Sequence, residues 1–300
     1  MPARDAEATI GRTLDALARQ EFGLEFEVIV VDNGSLDATA AVAERARIVS
    51  RVIRRSRGQG AGAARNEGAA AARGALLAFL DADCEPSPGW LAAGARAAGS
   101  ADLVQGRVTP PPDAAIGPYD RTLWVTSAYG LFESANLFVS HELFERVGGF
   151  PPGLEDAADA PFGEDVIFGW EARRSGVRTA FCDEALAYHA VFPRGAGSYV
   201  REHARRRMFP ALAAAVPELR EGFLYRRYFL SRRTATFDLA VIGVLGAVLR
   251  RDPRALAAAA PYALLSLRHG RRVVLVRAAA DAVGALALAR GSIAARSPVL

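Results

Sequence analysis

The chain has 300 residues, 51% of them hydrophobic, with only two cysteines. That is enough for one large domain plus a smaller unit, and it excludes a disordered chain or a disulfide framework. Every basic residue is arginine; residues 1–193 carry 18 of them against 27 acids, and residues 194–272 carry 16 against 5.

An acidic front followed by a basic back points to two functional regions. The basic part alternates with apolar runs, which suits an anionic membrane surface and not a nucleic-acid groove. Cys84 and Cys182 have no metal-site spacing and read as reduced thiols. The N-terminus lacks an apolar signal region, so the front domain is expected in the cytosol.

In chain order, Thr9 to Gln20 reads as an amphipathic helix with Ile10, Leu14 and Leu17 on one face. Phe26 to Val31 reads as a buried strand, turned off by Asp32-Asn33-Gly34-Ser35. Ser35 or Asp37 can cap the helix Ala38 to Arg47. Gly58-Gln59-Gly60-Ala61-Gly62 opens a helix through Ala72; it is either a phosphate-cradling loop or a flexible helix start, and no Gly-Lys-Ser/Thr follows it.

Leu76 to Leu80 is a short apolar run ending in Asp81-Ala82-Asp83. The run reads as a strand buried on both faces. Two ionised carboxylates spaced i, i+2 repel each other and lose hydration, so folding alone gives no reason for them. A divalent cation does, since Mg²⁺ and Mn²⁺ take carboxylate oxygens.

Trp90 and Leu91 begin a further helix, and Pro110-Pro111-Pro112 breaks the pattern. Asn136 to Val139 reads as a strand. His141 to Val147 is a helix closed by Gly148-Gly149, and Glu164 to Ser175 is a helix ended by Gly176. Val177 to Phe181 is the last clear strand, and beyond Tyr199 the chain reads as all helix. The alternation predicts a three-layer, mostly parallel α/β sheet. Such a domain begins with a strand before its first helix. Met1-Pro2-Ala3 stands where that strand should be ending, so an upstream apolar strand is expected in the native protein.

Pro2 to Glu7, Val30 to Ser35, Gly62-Ala63-Ala64-Arg65-Asn66, Asp81-Ala82-Asp83, Val147 to Phe150 and Gly163-Glu164-Asp165 together, in this order, resemble the family 2 glycosyltransferases. The resemblance covers roughly residues 1–190. It implies the GT-A fold, a nucleotide-sugar donor and inversion at the anomeric carbon.

Pro2, Ala3, Asp32, Arg65, Asn66 and Asp81 are then expected at the donor, with Asp32 accepting from its base and Asp81 facing its ribose. Asp83 is expected to bind Mn²⁺ or Mg²⁺, with His189 completing the shell or touching the diphosphate. Asp165 is the implied general base, with Gly149, Phe150 and Glu164 on the acceptor side.

Each residue also has a plain reading: Asp32 as a turn former, Arg65 as a solvated side chain, the Asp pair as a cap. Likewise, Glu164 and Asp165 read as helix N-terminal carboxylates and His189 as a hydrogen-bonded structural residue. Asp81-Ala82-Asp83 also resembles the nucleophile strand of haloacid-dehalogenase phosphatases, but Glu85 stands where that motif has Thr or Val. Processive relatives carry a Gln-x-x-Arg-Trp motif that is absent here, which argues against polymer synthesis.

Arg201, Arg205, Arg206 and Arg207 can meet donor phosphates or anionic lipid. Phe237 to Leu249 and Ala255 to Leu267 fall short of the ~20 apolar residues of a membrane span and are bounded by arginine clusters, among them Arg250, Arg251 and Arg268. Interfacial or re-entrant helices are expected over a spanning hairpin; a packed helical subdomain or a dimer surface is the alternative.

The expectation is thus a catalytic GT-A-like domain over 1–195 and a helical region over 196–300. The protein is read as a metal-dependent, non-processive transferase at the cytoplasmic membrane face, with a glycan or lipid-linked acceptor. Loops around 109–134 and 150–163 are expected to set substrate choice. A non-catalytic nucleotide-sugar-binding scaffold of the same fold is the second reading. A nucleotidyltransferase is a weaker third, since it lacks a basic Gly-rich loop.

Overall fold

The structure, a computed structural model, describes residues 1–56, 60–156, 159–267 and 271–300. Gly58, Gln59 and Arg268 lie outside the described residues. The chain divides into two compact units, Met1–Ala115 with Arg121–Phe192, and Ile116–Asp120 with Pro193–Leu300.

The first unit begins β1 (Pro2–Ala3), α1 (Glu7–Ala18), β2 (Val28–Asp32), α2 (Thr39–Arg45), β3 (Val49–Arg54), α3 (Ala61–Ala71) and β4 (Leu76–Leu80). It continues β5 (Cys84–Pro86), α4 (Trp90–Ala98), β6 (Leu103–Thr109), β7 (Asn136–Ser140), α5 (His141–Val147), β8 (Leu154–Asp156), β9 (Asp159–Phe162), α6 (Glu164–Arg174) and β10 (Thr179–His189). β3 and β6 carry no signal that singled them out in the sequence. β3 faces solvent in part, and Gln105, Gly106 and Arg107 interrupt the apolar run of β6.

β1, β2 and β3 form a parallel sheet, in which Pro2 pairs Val31 and Ala3 pairs Asp32. Pro2 and Ala3 thus form a short strand of their own beside β2. The second sheet has the order β4-β7-β6-β10-β5 and corrects the expectation of a mostly parallel sheet. Only β6 and β10 pair in parallel; β4 with β7, β6 with β7, and β10 with β5 are antiparallel. β7 is reached through the long segment after Pro110 and not through a helical crossover, so nothing forces it parallel.

Strand alternation sorts the core into two faces. Val28 and Val30 of β2, Leu80 of β4 and Phe138 of β7 pack with Ile10 and Leu14 of α1 and Trp90 of α4. Leu77 and Phe79 of β4 and Leu137 and Val139 of β7 pack with Phe144 of α5 and Phe168 of α6. Ile29 and Val31 meet Ala64 of α3. The sheets therefore sit between two helical layers, as a three-layer α/β/α domain.

Asn136 ties this frame together from the core. Its Oδ1 accepts from Trp90 Nε1 at 2.8 Å, and its Nδ2 donates to the carbonyls of Arg107 (2.9 Å) and Ala185 (2.8 Å). A side chain on Gly106 would begin 2.4 Å from that amide, so β6 has room only for glycine there. Cys84 and Cys182 are free, buried thiols.

The second unit contains α7 (Ala196–Glu202), α8 (Phe209–Ala215), α9 (Leu219–Gly222), α10 (Arg232–Arg250), α11 (Ala260–Leu267) and α12 (Arg271–Ala295). Ser231 caps α10 in a reciprocal capping box with Thr234. Asp281, which interrupts the apolar pattern of α12, is buried. Its Oδ2 accepts from Arg233 at 2.7 Å and from the Tyr262 hydroxyl at 2.8 Å, which joins α10, α11 and α12. No described helix is long and apolar enough to cross a membrane.

Candidate active site

The site forms where the strands of the first unit end. After β4 the chain turns sharply, with Cys84 N–H donating to the Asp81 carbonyl at 3.1 Å. Thr13 of α1 donates to the Ala82 carbonyl at 3.0 Å and holds the turn from the helix side. Asp81 and Asp83 are thereby presented to a cavity of about 280 Å³, also lined by Pro2, Ala3, Asn33 and Arg65.

Arg65 is buried, so it is not a solvated helix residue. Its Nη2 lies 2.5 Å from Asp81 Oδ1 and its Nη1 lies 3.8 Å from Glu164 Oε1. Burial works to lower the Arg65 pKa, but Asp81, Asp165 and Glu164 outweigh it and hold the guanidinium charged. Its Nε has no partner among the described residues.

Asp83 faces His189 at the end of β10, with Oδ2 3.6 Å from Nε2. Burial, then Asp81, pushes the Asp83 carboxyl up, while His189 and Arg121 draw it down. The other ring nitrogen of His189, Nδ1, lies 2.6 Å from the Ala190 carbonyl. A carbonyl only accepts, so Nδ1 carries a proton, and Nε2 is the ring atom that faces Asp83. This arrangement fits two ligands of an open Mn²⁺ or Mg²⁺ site, with the backbone carbonyl as outer partner. Among the described residues no three His, Cys, Asp or Glu side chains group as a closed metal cage.

Asp165 stands on the Glu164 side of Arg65, in the first turn of α6. Its Oδ2 accepts from Ser134 N–H at 3.3 Å and its Oδ1 from Val166 N–H at 2.9 Å. Burial, then Glu164, raises its carboxyl to about 6, against Arg65 and those N–H groups. Glu133 is pushed up to about 7, chiefly by burial and further by Asp165.

Other expected residues do different work. Asp32 Oδ1 accepts from the Ser35 N–H and hydroxyl, which closes the turn after β2, and its neighbour Asn33 lines the cavity instead. Asn66 clamps the loop after α5: its Nδ2 donates to the Phe150 carbonyl and its Oδ1 accepts from Phe150 N–H, both at 2.8 Å. Phe150 is buried among Phe79, Phe144 and Phe168. Gly149 has φ +71°, and a side chain there would begin 2.8 Å from Asn66 Oδ1.

Arg121, Phe192, Ser134 and Glu133 were not singled out from the sequence. Arg121 and Phe192 line the cavity and exchange backbone hydrogen bonds of 3.0 and 2.9 Å, with the guanidinium 5.2 Å from the ring centroid. Arg121 lies in the motif-free loop after Pro112, where only folding reveals its place. Glu133-Ser134 carried one usable signal, a polar pair one residue before the strand Asn136–Ser140.

Comparison with known proteins follows this geometry. Residues 1–157 match Glycosyl transferase family 2. A glycosyltransferase, AglE, of Haloferax volcanii is 31% identical over 209 residues, 65% of this chain and 67% of its own length. The validoxylamine A glucosyltransferase of Streptomyces hygroscopicus is 33% identical over 55% of this chain, but that match spans only 36% of the relative. Among solved structures, the mannosyltransferase PcManGT of Pyrobaculum calidifontis, in complex with GDP-Man and Mn²⁺, aligns with TM-score 0.60 at 18% identity. That alignment covers 97% of this chain and 85% of the other. S. aureus TarS in complex with UDP-GlcNAc aligns with TM-score 0.52 at 15% identity, over 99% of this chain and 90% of that one. At these identities the likeness shows the fold, which is that of GT-A glycosyltransferases.

Proposed function

Since this chain belongs to glycosyl transferase family 2, we propose that it moves a single sugar, with inversion, from a nucleotide-sugar donor to a glycan or lipid-linked acceptor. The observation that carries this reading is the bridging position of Arg65. It holds Asp81 on the donor cavity with one amino group and faces Glu164, beside Asp165, with the other.

Asp81 is positioned by Arg65 to accept from the donor's ribose hydroxyls through its free oxygen. Asn33 supplies a polar group beside it. Arg121 puts an exposed guanidinium near Asp83, suited to a diphosphate oxygen. Asp83 and His189 would hold Mn²⁺ or Mg²⁺, which when bound supplies Lewis-acid stabilisation of the departing nucleoside diphosphate. Asp165 accepts the proton of the acceptor hydroxyl as that oxygen attacks the anomeric carbon from the face opposite the leaving group. A carboxyl raised to about 6 is still ionised at neutral pH and more basic than a solvated one.

The arginine-rich second unit with its exposed apolar side chains supports an acceptor carried at the cytoplasmic face of a membrane, in cell-envelope assembly.

A thermal-shift screen of nucleotide sugars with Mn²⁺, followed by a transfer assay on the stabilising donor, tests the reading. Stabilisation by one donor, and its hydrolysis or transfer lost in Asp165→Asn, is expected. If no nucleotide sugar raises the melting temperature, the reading fails; binding without turnover leaves the scaffold reading in its place.

A further inference from the structure

The second unit exposes an apolar surface that its own helices leave uncovered. Ile242, Leu245 and Leu249 recur at i, i+3 and i+7 on α10, with Val248 beside them, and are 53–79% exposed. The next segment, Pro253–Ala259, packs tightly on α10: a side chain on Gly243 would begin 2.7 Å from the Ala255 carbonyl and 2.8 Å from Ala258 Cβ. Leu256 of this segment and Leu264 of α11 are exposed as well, at 49% and 66%.

Arg250, Arg251 and Arg254 stand at the turn between the two helical pieces, all exposed. No described acidic side chain forms an ion pair with any of the three. Arg251 is held at φ +54° by the helix end, so the chain reverses directly behind Val248 and Leu249.

We propose that this face, the C-terminal half of α10 with the turn that follows it, docks on an anionic lipid bilayer by shallow insertion. The apolar side chains enter the headgroup boundary, while the adjoining guanidinium groups stay at phosphate level on their apolar stems. Charge decides between a bilayer and a second copy of the chain. A symmetric contact centred here would set two arginine clusters against each other, whereas anionic headgroups neutralise them. The surface deepens the membrane location proposed above and stands apart from the transfer chemistry, so vesicle binding and sugar transfer fail independently.

The test is sedimentation of the purified full chain with vesicles of phosphatidylcholine alone, or mixed about equally with phosphatidylglycerol. Binding to the mixed vesicles, weak binding to phosphatidylcholine and loss of binding at ~1 M salt are expected. Arg250→Gln with Arg251→Gln should lower partitioning roughly 30-fold, about fivefold per basic residue. Ile242→Asp with Leu249→Asp should abolish it, and the milder serine pair should weaken it, with circular dichroism unchanged. A folded chain that stays in the supernatant with anionic vesicles overturns the proposal, as do variants that bind undiminished. A vesicle-independent dimer in light scattering, dissolved by Ile242→Asp, overturns it in favour of self-association.

Discussion

The buried guanidinium of Arg65 holds Asp81 at 2.5 Å, and this pair joins the two halves of the candidate site. The pairing explains how two aspartates two residues apart coexist at a strand end. One is neutralised by a fixed cation, while the other, Asp83, faces His189.

Removing Arg65 leaves Asp81 and Glu164 without their shared cation. Arg65→Met is expected to destabilise the protein by about 3 kcal/mol, the low end for a broken buried pair because Asp81 is partly exposed. The double variant with Asp81→Asn should recover part of that loss. Urea unfolding measures both; equal stability of wild type and Arg65→Met would show that the pair does not hold the site.

Asp165→Asn is expected to lower transfer by ~10²–10⁴-fold while leaving donor affinity in place. In the wild type, activity should fall with pH below about 6, the value to which burial and Glu164 raise this carboxyl. A pH–rate profile flat between 5 and 7 (about one unit either side) would exclude Asp165 as the base.

The same group gives a stability prediction with a definite sign. Its folded pKa lies above the usual carboxylate value, so its contribution to stability is fully present below about pH 4 and lost as pH rises through about 6. Asp165→Asn carries no charge to desolvate. It should therefore be more stable than wild type at neutral pH, by on the order of 1–3 kcal/mol, and the gap should close in acid. Thermal melts across pH check this.

Gly149→Ala should cost roughly 1–3 kcal/mol, since it puts a side chain at positive φ and against Asn66. Because Asn66 clamps Phe150 and not the donor cavity, the variant should lower kcat while leaving donor affinity near wild type. Isothermal titration with the donor separates the two effects.

Chelation of divalent cations should remove donor stabilisation in thermal shift, and Asp83→Asn should mimic chelation. Arg121→Ala should raise the donor KM about tenfold or more through one lost charge-assisted contact, with little change in melting temperature.

The sequence by itself determined the alternation of strand and helix in the first unit, because period-2 and period-3.6 apolar patterns are local. It also marked the chemistry-bearing strand ends: an apolar run that stops at Asp81-Ala82-Asp83 has no reason in packing alone, and Gly163-Glu164-Asp165 opens a helix with two acids. Tertiary structure decided the rest, because partnership across long separations leaves no local trace. Folding alone made Arg65 a bridge, turned Asn66 toward the Phe150 backbone and closed Asp32 on Ser35. It brought Arg121 from a featureless loop to Asp83, and it laid β7 antiparallel where alternation suggested parallel. Charge and hydropathy in the tail announced an amphipathic region. Which of its apolar residues face outward was settled only when Arg233, Tyr262 and Asp281 met in its interior.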